Sequence, residues 1–100
     1  MRPSKLGDDE ITAGLATLDQ WTLDAHGASI SKVWVFDSFK AAIDFIVSVG
    51  EIAEVQDHHP EFLSTYTKVQ LRLLTHDANG LTHKDFALAA AIDQLMKRDL

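Results

Sequence analysis

The sequence contains no cysteine among its 100 residues, and this absence excludes several kinds of chemistry at once. Disulfides, thiolate nucleophiles and cysteine-ligated zinc all require the missing sulfur atom. Long hydrophobic runs are absent too: none approaches the ~18 residues needed to cross a bilayer, and the N-terminus lacks the apolar stretch of a signal peptide. We therefore expect a cytoplasmic protein that has no membrane partner.

Positive charge is scarce as well. Nine Lys and Arg residues stand against fifteen Asp and Glu residues, which gives a formal net charge of −6. Because binding to a phosphate backbone depends on an excess of positive charge, nucleic acid is not expected as a partner. The hydrophobic fraction of 46% is typical of a folded protein, and the length is that of one domain, which we predict to span residues 1–100. A core of this size leaves the stability small unless subunits associate.

The first third of the chain predicts a helix followed by a hairpin. Apolar residues recur at helical spacing over residues 8–18, after an acidic first turn. Residues 21–23 and 30–36 are rich in β-branched and aromatic side chains and flank a polar turn, which is typical of two paired strands.

A long second helix is predicted next. It should begin at Asp37 or Ser38, both good N-caps, and end at about residue 56. Its apolar side chains cover an arc of roughly 200°, wider than the ~100° that one core contact requires. Since so small a protein has little depth in which to bury this helix, we expect part of the arc to contact another subunit.

The last third predicts two strands and a helix. Polar and apolar residues alternate over residues 65–75, which indicates a long antiparallel strand with one wet face, after a short strand at Phe62 and Leu63. Thr82 and Asp85 are spaced as the capping box of a final helix. The predicted order is α-β-β-α-β-β-α, and the predicted class is α+β, with helices packed on one face of a four-stranded antiparallel sheet.

The residues best suited to chemistry are histidines, of which the sequence has five. His58 and His59 follow the long helix, whose C-terminal end carries partial negative charge and favours a protonated imidazole. Pro60 ends the helix and restricts His59 to an extended conformation, which fixes the direction of that imidazole. Such a histidine suits general acid or base catalysis, although two exposed histidines that interact only with the helix dipole would give the same pattern.

The remaining histidines are less specific. His76 ends the last predicted strand, a position from which scaffolds present side chains to ligands, but a surface role is equally compatible with it. His58, His59 and His76 could in principle bind a catalytic zinc ion. Adjacent residues rarely converge on one ion, however, and no helical His-x-x-x-His pair is present, so we expect no metal. We assign no function to His26 or His83.

Several motifs follow one another at fixed spacing through the second half of the chain. They are Asp57-His58-His59-Pro60-Glu61, Tyr66, Lys68-Val69, Thr75-His76-Asp77, Gly80-Leu81-Thr82 and Asp85. In this arrangement the sequence resembles the pterin-4a-carbinolamine dehydratase family, also called 4a-hydroxytetrahydrobiopterin dehydratases. The similarity extends from about residue 11 to residue 95, and a histidine pair before proline, followed at this spacing by Thr-His and Gly-Leu-Thr-x-x-Asp, is a specific signal.

The resemblance implies a fold and an activity. Members of the family form a helix-covered four-stranded sheet, assemble as dimers or dimers of dimers, and need no metal or organic cofactor. They remove water from 4a-hydroxytetrahydropterin to give the quinonoid dihydropterin. By resemblance, the substrate-binding residues are Asp57, His58, His59, Leu74, Thr75, His76 and Asp77, where Leu74 replaces a common Ser or Thr.

The resemblance also implies a role for three histidines. We hypothesise that His58 or His59 is the base and that His76 protonates or holds the leaving hydroxyl, and the sequence leaves open which histidine does which. A different interpretation is a non-catalytic interaction module that docks on a protein partner through the long apolar helix. The retention of the histidines with Thr75 and Asp85 favours the enzyme.

Overall fold

Four strands form one antiparallel sheet in the structure, a computed structural model that describes residues 4–98. In chain order the elements are α1 (Asp8–Ala16), β1 (Thr22–Leu23), β2 (Ile30–Val35), α2 (Phe39–Gln56), β3 (Glu61–Thr65), β4 (Lys68–Leu73), a 3₁₀ turn (His76–Ala78) and α3 (His83–Arg98). The strands lie in the order β1-β2-β4-β3, and each neighbouring pair is antiparallel. The predicted α+β class and order of elements are confirmed.

One face of the sheet carries the core. Alternate residues of β2 and β4 are buried, and they are paired across the strands, as in Ile30 with Leu73 and Trp34 with Val69. Burying an apolar side chain of this size stabilises the fold by about 1.5–3 kcal/mol. The same cluster contains residues from all three helices, which are Ile11, Ala42, Phe45, Val49, Ala53, Leu88, Ala89 and Ile92. The helices therefore cover one face, as predicted.

Helix α2 has the predicted N-cap and an apolar surface that the chain covers only in part. The Ser38 hydroxyl accepts a hydrogen bond from the Ala41 amide at 3.1 Å. Phe39, Val47 and Val55 on the same helix stay exposed, Val55 at 88%. Contact with another subunit through these side chains remains a prediction. Within residues 4–98, no helix is both long and apolar enough to span a membrane.

The strand predicted over residues 65–75 spans only Lys68–Leu73, and Thr65 belongs to the strand before it, β3. Tyr66 and Thr67 form a tight turn between β3 and β4, with Tyr66 in the left-handed region at φ 54° and Thr65 paired with Lys68. The prediction was wrong here because a two-residue turn preserves the polar-apolar alternation, and no glycine or asparagine marks it. Strand β3 is longer than predicted, and all five of its residues are exposed at the edge of the sheet.

A buried carboxylate ties α3 to the segment before β1. The Asp93 side chain accepts hydrogen bonds from the Trp21 indole at 2.9 Å, the Asp19 amide at 3.0 Å and the Lys32 ammonium at 3.3 Å. These three donors satisfy a charge that would otherwise be costly to bury. The cluster fixes Trp21 against Trp34, at 5.7 Å between ring centroids.

A glycine in α1 permits the close approach of α3. A Cβ added at Gly14 would lie 2.7 Å from a ring carbon of Phe86, whereas one added at Gly50 in α2 would meet nothing within 4 Å. Alanine normally favours a helix over glycine by about 1 kcal/mol. We expect Gly50→Ala to stabilise the protein by ~0.5–1 kcal/mol and Gly14→Ala to destabilise it by ~1 kcal/mol, because Phe86 must move. Urea unfolding of both variants at one protein concentration tests this, and stabilisation by both would contradict it.

The turn between β1 and β2 is built on Asp24. Its carboxylate accepts hydrogen bonds from the Ser29 hydroxyl at 2.6 Å and from the Ala28 and His26 amides at 2.9 and 3.0 Å. The Ser29 bond, followed by the Ala28 bond, lowers the pKa of Asp24 from 3.8 to about 2. Because the folded-state pKa is the lower one, this stabilisation is present above pH 3.8 and is lost as the pH falls toward 2.

Replacing this aspartate should therefore have a pH-dependent effect. We expect Asp24→Ala to lower the free energy of unfolding by roughly 1 kcal/mol at neutral pH, a modest value because the turn is partly exposed. The difference between parent and variant should shrink between pH 4 and pH 2 in urea titrations. Asp37→Ala removes an exposed carboxylate with no side-chain hydrogen bond among residues 4–98, so it is the control. An Asp24→Ala effect that is constant with pH would contradict the role of the charge.

Candidate active site

Helix α2 ends in a turn that directs the histidine pair. Asp57 adopts the left-handed conformation at φ 52° and ψ 44°, its amide donates to the Glu54 carbonyl, and the His58 amide donates to the Ala53 carbonyl at 3.1 Å. This pair of bonds is that of a Schellman C-cap, which satisfies carbonyls at the end of a helix. The helix stops at Gln56 as predicted, through Asp57 rather than through proline alone.

The segment after β4 forms a second small turn. The backbones of Thr75 and Gly80 pair in an isolated antiparallel bridge, with the Thr75 amide donating to the Gly80 carbonyl at 3.0 Å. The bridge closes a loop that contains the 3₁₀ turn, and His76 and Asp77 are exposed on it. The loop thus holds both side chains at the end of a central strand.

The two turns line one cavity of about 360 Å³. A volume of this order suits a small organic molecule. Its lining residues are Asp57, His58, His59, Leu74, Thr75, His76, Asp77 and Lys84. All seven residues predicted to bind substrate are therefore brought together. The eighth, Lys84, was not predicted from the sequence.

His58 is the buried histidine of the cavity and is held by a carboxylate. Its Nε2 lies 2.6 Å from Oδ1 of Asp85, a residue with no exposed surface. Because a carboxylate only accepts hydrogen bonds, Nε2 carries the proton and Nδ1 of His58 is the nitrogen able to accept another. The carboxylate fixes both the orientation and the tautomer of this imidazole.

Asp85 is itself fixed by further buried groups. Its Oδ2 accepts hydrogen bonds from the Thr75 hydroxyl at 2.8 Å and from the Thr82 amide at 2.9 Å. The two threonine hydroxyls are 2.8 Å apart, and the Thr82 hydroxyl accepts from the Lys84 amide. The predicted capping box of α3 is present. The sequence predicted Asp85 as part of the cap and of the family motif, but not its bond to His58, which lies 27 residues away.

The other two histidines of the cavity are exposed. His59 Nε2 lies 2.7 Å from Oε1 of Glu54, and both side chains are more than half exposed, so this pair contributes little to stability. His76 makes no side-chain hydrogen bond or ion pair with any residue of the described range 4–98. Its imidazole is available to a ligand. Neither His26, in the β1-β2 turn, nor His83, at the start of α3, lines the cavity.

The histidines are not arranged as a metal site. Among the residues that the structure describes, no three His, Asp or Glu side chains converge in a way that could hold an ion. Nε2 of His58 and Nε2 of His59 each face a different carboxylate. The geometry is one of separately oriented imidazoles around an open cavity.

A sequence model of the family described as Pterin 4 alpha carbinolamine dehydratase matches residues 4–95. The chain belongs to this family. Relatives in the pterin 4 alpha carbinolamine dehydratase family agree over nearly the whole length. Proteins of Sinorhizobium fredii and Chloroflexus aggregans, both provisionally named pterin-4-alpha-carbinolamine dehydratases, are 45% identical over 94 residues and 43% identical over 93 residues. The alignments cover 94% and 93% of this chain and 90% and 98% of the relatives.

Solved structures share the fold of this pterin 4 alpha carbinolamine dehydratase family member. A transcriptional coactivator/pterin dehydratase from Brucella melitensis superposes with a TM-score of 0.87 at 30% identity, over 92% of this chain and 98% of that one. A pterin dehydratase-like protein that is a RuBisCO assembly factor in the alpha-carboxysome gives a TM-score of 0.66 at 22% identity, over 77% of this chain and 89% of that one. The second likeness concerns the fold alone.

Proposed function

We propose that the protein is a 4a-hydroxytetrahydrobiopterin dehydratase, a hydro-lyase that supports the recycling of tetrahydrobiopterin. Membership in the family supports the class of reaction. The observation that carries the proposal is that His58, His59 and His76 line one cavity of a size suited to a pterin, with His58 held by a buried carboxylate. The proposed catalytic residues are these three histidines, and Asp57, Leu74, Thr75 and Asp77 complete the substrate-binding set.

The reaction needs an acid and a base that act on neighbouring groups of the substrate, the 4a-hydroxyl and N5–H. The C4a–O bond breaks and the hydroxyl leaves as water, the N5–H bond breaks, and its electron pair forms the C4a=N5 double bond. One imidazole must accept the N5 proton while another group protonates the leaving oxygen, so no oxidant or reductant is consumed. Imidazoles exchange protons near neutral pH and can serve in both roles.

His58 is the better placed base. Its Nε2 proton is committed to Asp85 at 2.6 Å, which leaves Nδ1 as an acceptor, and the negative charge of Asp85 stabilises the imidazolium that forms. His76 is exposed and can regain a proton from solvent after each turnover, which suits the acid. His59, paired with Glu54, is then a further contact to the substrate.

The proposal includes an assembly and a location. We propose a homodimer or homotetramer that buries the exposed Phe39, Val47 and Val55 of α2, in the cytoplasm, with no membrane or nucleic-acid partner. No metal or organic cofactor is required by the proton transfers above. Light scattering of the purified protein measures the assembly, and elemental analysis that finds stoichiometric metal would contradict the cofactor-free mechanism.

The same exposed surface favours a second candidate, a non-catalytic interaction module. The Brucella melitensis protein bears the name of a transcriptional coactivator as well as a pterin dehydratase. An assay that follows the loss of 4a-hydroxypterin absorbance separates the two. We expect the parent to accelerate dehydration over the spontaneous reaction and a variant with alanine at positions 58, 59 and 76 to give the spontaneous rate. If the folded parent does not accelerate dehydration, the interaction module is favoured.

A further inference from the structure

Lys84 lines the cavity but has no role in the mechanism proposed above. Its side chain is half-buried, and its amide donates to the Thr82 hydroxyl at 3.2 Å, so its backbone is fixed at the cavity wall. The ammonium forms no ion pair and no hydrogen bond with any residue of the range 4–98. It also lies in the first turn of α3, where the helix dipole opposes a positive charge. A charge that is locally unfavourable and lacks an internal partner indicates a ligand.

The donors and acceptors of the cavity wall are unequally divided. The carboxylates of Asp57 and Asp77 can only accept hydrogen bonds, and the Thr75 hydroxyl is occupied by Asp85 and Thr82. His58 and His76 are committed to the proton transfers at N5 and at the 4a-hydroxyl, and His59 Nε2 faces Glu54 at 2.7 Å. Lys84 is therefore the remaining side chain of this wall that can only donate.

A pterin presents a matching set of groups. Its pyrimidine ring carries the donors N3–H and 2-amino, which carboxylates can accept, and the acceptor O4, which needs a donor. O4 is bonded to C4, the carbon next to the reacting C4a, so a donor to O4 lies in the same cavity as the acid and the base. We infer that Lys84 is a substrate-binding residue whose ammonium donates to O4 and so selects 4-oxo pteridines over 4-amino pteridines. This inference rests on the proposed dehydratase function.

The carbonyl at C4 persists through the reaction, so its hydrogen bond stabilises the bound substrate and the transition state by the same amount. Loss of such an interaction raises KM and leaves kcat largely unchanged. We expect Lys84→Met to raise KM by about tenfold or more, with kcat within about threefold of the parent, and Lys84→Arg to restore most of the affinity. A drop confined to kcat in Lys84→Met would overturn the inference.

Binding of two stable ligands gives a readout that a structural role would not change. 7,8-Dihydrobiopterin and its 2,4-diamino counterpart with the same side chain differ at C4 and at N3, which carries a hydrogen only in the 4-oxo form. Titration calorimetry at mildly alkaline pH measures both ligands. We expect the parent and Lys68→Met, which removes an exposed lysine of β4, to prefer the 4-oxo ligand by about tenfold or more. In Lys84→Met the ratio should fall by about tenfold, because the contribution of O4 is lost while that of N3–H remains. If Lys84→Met is active and keeps the ratio of the parent, only the role of Lys84 is refuted. If the parent itself is inactive, the proposed dehydratase function is refuted.

Discussion

Replacing His58 with alanine is expected to lower kcat/KM for dehydration by about 10²- to 10⁴-fold, the usual contribution of a general acid or base. His58 is the buried histidine of the cavity, and the Asp85 carboxylate fixes its Nε2 proton. Water cannot take over the role efficiently, because a free water molecule lacks this fixed orientation. Stopped-flow measurement of 4a-hydroxypterin loss, with the spontaneous rate subtracted, gives the effect directly.

The exposed histidines complete this test. We expect His76→Ala to lower the rate by a comparable factor and His59→Ala by a smaller one, since His59 is assigned a contact and not a proton transfer. His83→Ala is the matched control, because His83 is also exposed but lies outside the cavity. If all three cavity variants dehydrate the substrate as fast as the parent, the histidine mechanism is wrong.

The second large effect is expected from Asp85→Asn. An amide with its oxygen in the place of Oδ2 still accepts from the Thr82 amide, and its NH₂ group then faces His58 Nε2. In the opposite orientation the NH₂ group would face the Thr82 amide, which is also a donor, and that bond would be lost. If the NH₂ group faces His58, the imidazole moves its proton to Nδ1 and can no longer act as the base. We expect kcat/KM to fall by about 10²-fold or more, together with a stability loss of about 1–3 kcal/mol.

A second buried aspartate of α3 separates the two effects. Asp93 also accepts three internal hydrogen bonds but lies outside the cavity. Asp93→Asn should therefore lower the stability by a similar amount and leave kcat/KM within about threefold of the parent. Urea unfolding and the dehydration assay are run on both variants. Equal losses of activity in the two would mean that Asp85 acts only through the fold.

Much of the fold follows from local pattern. The alternation in β4 places Val69, Leu71 and Leu73 on the buried face, because one side of the strand must leave water. The turn at Tyr66 could not be predicted in this way. A left-handed tyrosine is set by the pairing of β3 with β4, which is a tertiary contact.

The site, too, was predictable where it depends on local sequence and not where it depends on tertiary contacts. The seven cavity residues were found because they lie in two short motifs. The bond between His58 and Asp85 was not found, since it joins the turn after α2 to α3 across 27 residues and Asp85 already had a sufficient structural explanation as a cap. Lys84 was missed because it belongs to none of the motifs that the sequence shows. Its place in the cavity wall is seen only in the structure.

The capping box of α3 also determines how the site responds to local unfolding. The Thr82 amide and the His58 ring bind opposite oxygens of the same carboxylate. When the first turn of α3 frays, Asp85 moves away and His58 loses its orientation, even if the sheet stays intact. The hydrogen-exchange rate of the Thr82 amide is thus a direct measure of how often a folded molecule is catalytically incompetent.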